Sequence, residues 1–342
     1  MPGFGSEKGV ILRQFFALAQ GKGGRAAVLP RRSLAKRDRL SADRRRGHNG
    51  GPPPCDDANM DASDRTTHEQ IRQALAERFG AEFDVPCTLP GADELARIAR
   101  HRSHRKYRAD PVPPELLRLL FACALSAPSK SDLQQADIVH VADRARVKAI
   151  VDLIPDMPWI NAAPVFLVFC GNNRRIRQIG EWRGKPFAND HLDHFMNAAV
   201  DAGLVMMNFI RAAEAVGLGA CPISAVRNHP HEVSNLLALP DWVFPVAGLT
   251  VGYPAETGRI SARLPLEVTV HVDRHDERAL ERRIDDYDRR RRELQPYRRQ
   301  RHSGRYEDVP DYGWSEDKAR QYAVPERADF GAFIRAKRFR LD

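Results

Sequence analysis

The chain has 342 residues, 42% of them hydrophobic and 29% charged, a make-up that fits an ordinary soluble globular protein and excludes a fibrous or low-complexity one. Its net charge of +9 is uneven, with +7 in residues 1–59 and +2 in the rest, so the basic balance argues only weakly for a body that binds nucleic acid. No stretch is apolar enough to cross a membrane: residues 198–220 come closest and are interrupted by Asp201, Asn208, Arg211 and Glu214.

Residues 1–59 are rich in Gly, Arg, Pro and Asp and bury too little apolar surface to offset their ordering entropy. They are expected to be a disordered basic tail, or an over-extended start ahead of Met60. Arg13 breaks the short apolar patch 10–19, so no cleaved leader is expected. Residues 60–94 read as a helix and linker. Ile71, Leu75 and Phe79 share one face of a helix over 67–79, and prolines 86 and 90 bound the linker. Residues 95–342 read as one domain.

Within it, the pattern predicts a short helix over 93–101 and a second opened by Pro113 and Pro114. A strand at 138–141 and a helix at 145–153 follow. The unbroken apolar run 165–170 predicts a central strand buried on both faces. Residues 190–216 form the longest predicted helix, ended by Gly217-Leu218-Gly219. Further strands are expected at 244–253 and, as an extended edge, at 267–272, separated by a loop over 254–265. The tail from Asp276 is highly charged, with little apolar periodicity before Phe330.

The five cysteines (Cys55, Cys87, Cys123, Cys170, Cys221) form no CxxC pair and are odd in number, as for reduced thiols in a cytoplasmic protein. The pairs His191/His194 and His229/His231 lack supporting ligands at metal-binding spacing, so no metal is expected. There is no GxGxxG turn after a first strand, no Walker loop and no GxSxG elbow. Two polar runs do carry chemistry. His101-Arg102-Ser103-His104-Arg105 packs cations and a hydroxyl into five positions, a donor set suited to a phosphate. Ser126–Gln135 is a polar loop after an apolar helix, able to hydrogen-bond a heteroaromatic ring.

These runs, with Gly217-Leu218-Gly219, Ile223–Asn228, Leu236–Pro240 and Gly248–Pro254, resemble in their order the FMN-dependent nitroreductase family. The similarity covers residues 95–342 and is nearest to the NADPH-preferring, oxygen-insensitive nitroreductase and flavin reductase branch. It implies an α+β, three-layer α/β/α fold with a mixed, mainly antiparallel central sheet, in an intertwined homodimer. The interface is expected on the long helix, on the face of Val205, Phe209 and Ala212.

By the same resemblance, His101, Arg102, Ser103 and Arg105 hold the FMN phosphate and ribityl chain. Ser129, Lys130 and Ser131 reach the flavin from the partner subunit, with the Lys130 cation favouring negative charge on the reduced ring. Gln134 either turns inward as an amide partner or caps its loop. Pro222, Ile223, Ser224 and Ala225 match a loop whose backbone passes over the ring, with Ser224 and Ala225 where relatives tend to have glycines. Arg263 is a second phosphate arginine, and Ser261 stands where relatives carry a lysine. Met157 stands where they carry a glutamine or lysine at the flavin edge. Arg301 and Arg305 meet the nucleotide 2′-phosphate of NADPH.

The activity implied is a ping-pong hydride transfer from NADPH or NADH through FMN to a nitroaromatic, a quinone or free flavin, with no residue acting as nucleophile. The alternatives are a flavin-dependent dehalogenase or flavin-fragmenting enzyme, and, in another class, a non-catalytic flavin-binding or nucleic-acid-binding protein.

Overall fold

The structure, a computed structural model, describes residues 62–342, which fall within one compact unit. The expected basic tail at 1–59 lies outside the described residues. Four strands make an antiparallel sheet in the order β1-β2-β4-β3: β1 Ala136–His140, β2 Val165–Asn172, β3 Gly219–Ile223 and β4 Val243–Gly252. All eight residues of β2 are buried, as its unbroken apolar run predicts for an inner strand.

Side chains alternate across this sheet and give it two cores. Leu167, Phe169, Leu249 and Val251 face helices α3 (Pro114–Leu125) and α6 (Leu192–Ala215). Phe166, Val168, Cys170 and Ile223 face the other way, against α4 (Arg144–Asp152), the 3₁₀ turn Pro158–Ala162 and α7 (Pro230–Leu236). The result is three layers. Phe166, Phe169 and Phe209 are all but inaccessible, and each such side chain stabilises the fold by roughly 1.5–3 kcal/mol through burial.

Ahead of these layers, α1 (Ala62–Phe79) and α2 (Ala92–Ala99) pack together through Ile71, Val85 and Ala96. The buried face of α1 is His68, Ile71, Ala74 and Arg78. After β2 comes α5 (Arg174–Trp182), and after β4 come α8 (Leu266–Thr269), α9 (Leu280–Leu294), α10 (Trp314–Tyr322) and α11 (Phe330–Ala336).

The four strands pair antiparallel, and the parallel pairing found among the described residues is the bridge Ser103–Ala220. Several expectations are corrected. Gly219–Ile223 is a strand although it contains glycine and proline. It lies at the sheet edge, where the N–H that Pro222 lacks is not needed. The extended edge expected at 267–272 is instead a helical turn begun after Pro265, followed by Val270 and Val272 at 60% and 80% exposure. Their apolar alternation has no strand to pair with among the described residues.

The charged tail does fold. α9 is held by buried Tyr287 against Trp314, and by Asp288, which accepts the Ser315 N–H that opens α10. Val205, Phe209 and Ala212 do not form an outer face: the first two are buried in the core and Ala212 packs against it. The cysteine expectation also fails in part, since Cys123, Cys170 and Cys221 are free but Cys87 is disulfide-bonded.

Candidate functional site

The run 101–105 lies along the β3 edge of the sheet. The His104 N–H donates to the Ala220 carbonyl at 3.0 Å, next to the Ser103–Ala220 bridge. Two residues on, Tyr107 donates its hydroxyl to the His104 carbonyl at 2.5 Å and meets Thr250 Oγ1 at 2.8 Å. Burial pushes the Tyr107 phenol far up, so it stays a neutral strut. Gly217, at φ +79°, turns the chain from α6 into β3, and Gly219 brings the backbone against the His104 ring. A Cβ on Gly219 would stand 2.7 Å from that ring, so any other residue there would have to displace His104.

A second strip, 260–263, is drawn to the first by a residue that the sequence reading passed over. Arg78, 7% exposed at the end of α1, donates from Nη2 to the His101 carbonyl at 2.7 Å and the Ala99 carbonyl at 3.0 Å. Its Nη1 donates to the Ser261 carbonyl at 3.2 Å, and the Arg263 N–H donates to the Arg78 carbonyl at 2.7 Å. Burial, then the charges of Arg263 and Arg102, pull the Arg78 guanidinium below its usual range. Arg102 is half-buried, and its Nε has no hydrogen-bond partner. His104 Nδ1 is likewise unpartnered, and burial and Arg102 lower its imidazole. Arg78, Arg102 and Arg263 form a cluster of cations with Glu77 and Glu214 as the carboxylates that act on Arg78. A dianionic phosphate fits such a cluster, because it supplies both counter-charge and acceptors.

The remaining members are placed as follows. His101 is bonded to a carboxylate of this cluster, its Nδ1 meeting Glu214 Oε1 at 2.5 Å, and Glu214 also pairs with Arg211 at 2.9 Å. Arg105 is exposed and close enough to act electrostatically on Cys221. Pro222 and Ile223 end β3, and Ser224 and Ala225 begin the 3₁₀ turn Ser224–Arg227. Pro222 and Ser224 are exposed while Ile223 and Ala225 are buried, so the accessible strip is small side chains and backbone. Met157 packs against the core cluster that contains Ile223 and Ala225. Arg327 arches over the turn, donating to Asn228 Oδ1 at 2.7 Å and to Ser224 Oγ at 3.5 Å. Arg263 is exposed and lines a 680 Å³ cavity with Arg78 and Ser261.

The loop Ser129–Gln134 lies elsewhere. It leads into β1, the opposite edge of the sheet, three strand spacings or about 14 Å from β3. Asp201, buried in α6, holds it. This carboxylate accepts the Ser129 hydroxyl at 2.5 Å and the N–H groups of Lys130 and Gln135, both at 3.2 Å. Ser131 and Gln134 take positive φ. Gln134 donates its N–H to Ser129 Oγ at 2.7 Å, and its amide donates to Asp132 at 3.1 Å, so it caps the loop. Lys130 and Ser131 are exposed, and the Lys130 ammonium makes no ion pair among the described residues. Ser129 and Gln134 line a 580 Å³ cavity that shares no residue with the one at Arg263.

Arg301 and Arg305 belong to the segment between α9 and α10. Arg301 meets the buried Asp317 carboxylate at 3.4 Å and takes the Tyr312 hydroxyl as acceptor for its N–H at 2.9 Å. Arg305 is exposed, with its guanidinium 5.7 Å from the Tyr306 ring. Among the described residues no group of three or more His, Cys, Asp or Glu is placed to hold a metal. No described helix is long and apolar enough to cross a membrane.

Two residues were legible only in hindsight. Arg78 follows His68, Ile71 and Ala74 at helical spacing, so it occupies a core position. Asp201 interrupts an apolar helix at a buried position and therefore needed partners.

Comparison with known proteins bears on this arrangement. The family model described as Nitroreductase family matches residues 98–253, and that described as Nitroreductase family, C-terminal domain, matches residues 261–342. The chain is 36% identical over 231 residues to FMN reductase [NAD(P)H] of Bacillus subtilis, covering 67% of this chain and 90% of that protein. It is 34% identical over 189 residues to the oxygen-insensitive NADPH nitroreductase of Salmonella typhimurium, covering 54% and 77%. Among solved structures, NADPH:FMN oxidoreductase from Vibrio harveyi complexed with NAD+ is similar at a TM-score of 0.63 and 27% identity, over 72% of this chain and 97% of that one.

Proposed function

The chain belongs to the nitroreductase family, and we propose that it is an FMN-dependent NAD(P)H oxidoreductase acting on nitroaromatics, quinones or free flavin. The observation that carries this reading is that Arg102 and Arg263 both act on the buried Arg78, with Arg102 Nε unpartnered, where the run 101–105 lies along β3, the strand that leads into the strip 222–225. Arg102, Ser103, Arg105 and Arg263 would hold the phosphate and ribityl end, and Pro222–Ala225 would back the ring. When bound, FMN supplies the redox chemistry, taking a hydride from the nicotinamide and passing electrons to the acceptor. The protein's part is to bind, orient and shield, and no side chain is required as nucleophile.

The loop Ser129–Gln134 cannot reach that strip in the same protomer, since the width of the sheet separates them. A second copy would supply it, with Lys130 as the charge turned toward the ring. The surface for this homodimer is a stripe of α6: Leu192, Met196, Val200, Leu204 and Met207 are each 40–57% exposed at helical spacing. This replaces the Val205–Phe209–Ala212 face. Arg301 and Arg305 would meet the phosphorylated end of NADPH.

Colour tests the reading. The purified full chain should show the flavin's visible absorbance, bleached by NADPH without oxygen and restored by a quinone or nitrofuran. Colourless protein that also fails to take up added FMN rejects it. Met196→Glu should shift the dimer toward monomer in sedimentation and weaken flavin uptake together.

A further inference from the structure

The resemblance to the nitroreductase family implies a lysine two residues before the phosphate arginine, where this chain has Ser261. The charge is not recovered within that strip. Arg259, the nearest basic residue on its N-terminal side, is exposed. It is instead present in α1, at Arg78. Helix α1 precedes both family matches, which begin at residues 98 and 261.

The side chain is nine-tenths buried and points between the two strips that the phosphate reading uses. It donates to the carbonyls of Ala99, His101 and Ser261, and lines the same cavity as Ser261 and Arg263. A guanidinium has five N–H donors. Four are donated in these contacts: Nε to Ala99, Nη2 to Ala99 and His101, and Nη1 to Ser261. One N–H of Nη1 remains. Arg78 makes no ion pair among the described residues: its four bonds go to backbone carbonyls, and the charges around it are Arg263 and Arg102 as well as Glu77 and Glu214.

We infer that Arg78 is the second cation of the phosphate site, delivered by a helix ahead of the family domain in place of the missing lysine at position 261. It acts both as a positive charge and as the clamp that sets the His101 and Ser261 backbones at the right separation. The inference rests on the FMN reading above.

The test separates charge from scaffolding by comparing FMN with riboflavin, which lacks the phosphate. Each is titrated into the full-length apoprotein and followed by quenching of flavin fluorescence. Arg78→Gln should weaken FMN about 10- to 30-fold while changing riboflavin by less than about threefold, the loss of one charge-assisted contact. Ser261→Lys added to Arg78→Gln should restore most of the FMN affinity. Equal losses for FMN and riboflavin would make Arg78 a structural staple and overturn the proposal, as would unchanged FMN affinity.

Should Arg78→Gln fail to fold, judged by circular dichroism, Arg78→Lys carries the test. Its ammonium keeps the charge but cannot reproduce the four bonds, so the preference for FMN over riboflavin should stay within about threefold of the parent. A collapse of that preference with the charge retained overturns the proposal. A parent chain that takes up neither flavin rejects the FMN reading itself, a result distinct from either outcome at Arg78.

Discussion

The two polar strips at opposite edges of the sheet look alike in sequence and differ in how they are satisfied. At the β1 edge, the loop 129–135 turns its hydroxyl and two N–H groups onto the buried Asp201 carboxylate, and Gln134 bonds back within the loop. At the β3 edge, Arg102 Nε and His104 Nδ1 have no partners, and burial first, then the charges of Arg263 and Arg102, lower the Arg78 guanidinium. The first edge satisfies its hydroxyl and backbone N–H groups within the protomer and leaves Gln135 Nε2 without a partner, whereas the second leaves an arginine and a histidine nitrogen, which in the proposed reading a ligand would meet. Polar groups that a fold satisfies itself give stability, while groups left in mutual repulsion give up stability for binding. Mutations should therefore separate the two edges, those at the first lowering the stability of the apoprotein and those at the second lowering flavin affinity.

The largest effect should come from Asp201→Ala, which leaves a hydroxyl and two backbone N–H groups without their acceptor. The apoprotein should lose roughly 4 kcal/mol in urea unfolding, with Asp201→Asn losing less. An unchanged unfolding midpoint would erase the contrast between the edges.

The same helix carries a second burden of this kind. His194, in the first turn of α6, stacks on Phe187 at 4.8 Å. Burial first, and the Arg177 charge second, push its imidazole down to about 4; Asp190, His191 and Asp193 are its other charged neighbours. The unfolded chain binds this proton near pH 6.5 and the folded chain only near pH 4. The stability due to neutral His194 is therefore intact above pH 6.5 and is lost as pH falls toward 4, by roughly 2–3 kcal/mol. The urea midpoint should fall between pH 7 and pH 4.5 in the parent, and by clearly less in His194→Leu.

At the other edge, Arg102→Ala should weaken FMN about 30-fold, near 2 kcal/mol, while the apoprotein keeps or gains stability because a repelling charge is gone. Loss of apoprotein stability in this variant would show that Arg102 is scaffold, and the distinction would fail.

How far the sequence revealed this follows from the same physics. Three strands, the two long helices and the central position of β2 are written in local apolar runs. β3 was not, because its glycine and proline signal a loop and its strand character comes from pairing with β4. The helices of the charged tail were hidden because α9 is organised by Tyr287 and Asp288 meeting Trp314 and Ser315, contacts between distant residues. Arg102, Arg263 and the strip 222–225 could be named from order and residue type. Arg78 could not, since nothing local shows that the end of α1 lies over residues 101 and 261.

Arg301 and Arg305 repeat the contrast on a smaller scale. Both were read as contacts for the 2′-phosphate of NADPH, but only one is committed within the fold. Arg301 is held by the Asp317 carboxylate, and its carbonyl accepts the buried Arg320 guanidinium at 3.2 Å. Arg305 lies exposed over Tyr306 and makes no ion pair among the described residues. An exposed cation contributes little to stability and is free to meet a phosphate. Arg305→Ala should therefore raise KM for NADPH about threefold, leave KM for NADH unchanged and leave the melting temperature unchanged. Arg301→Ala should lower the melting temperature before it alters the choice of nucleotide. If Arg301→Ala instead shifts the NADPH preference more than Arg305→Ala does, at equal stability, then a group can be satisfied in the protomer and still serve the ligand. The rule drawn from the two sheet edges would not extend to the tail.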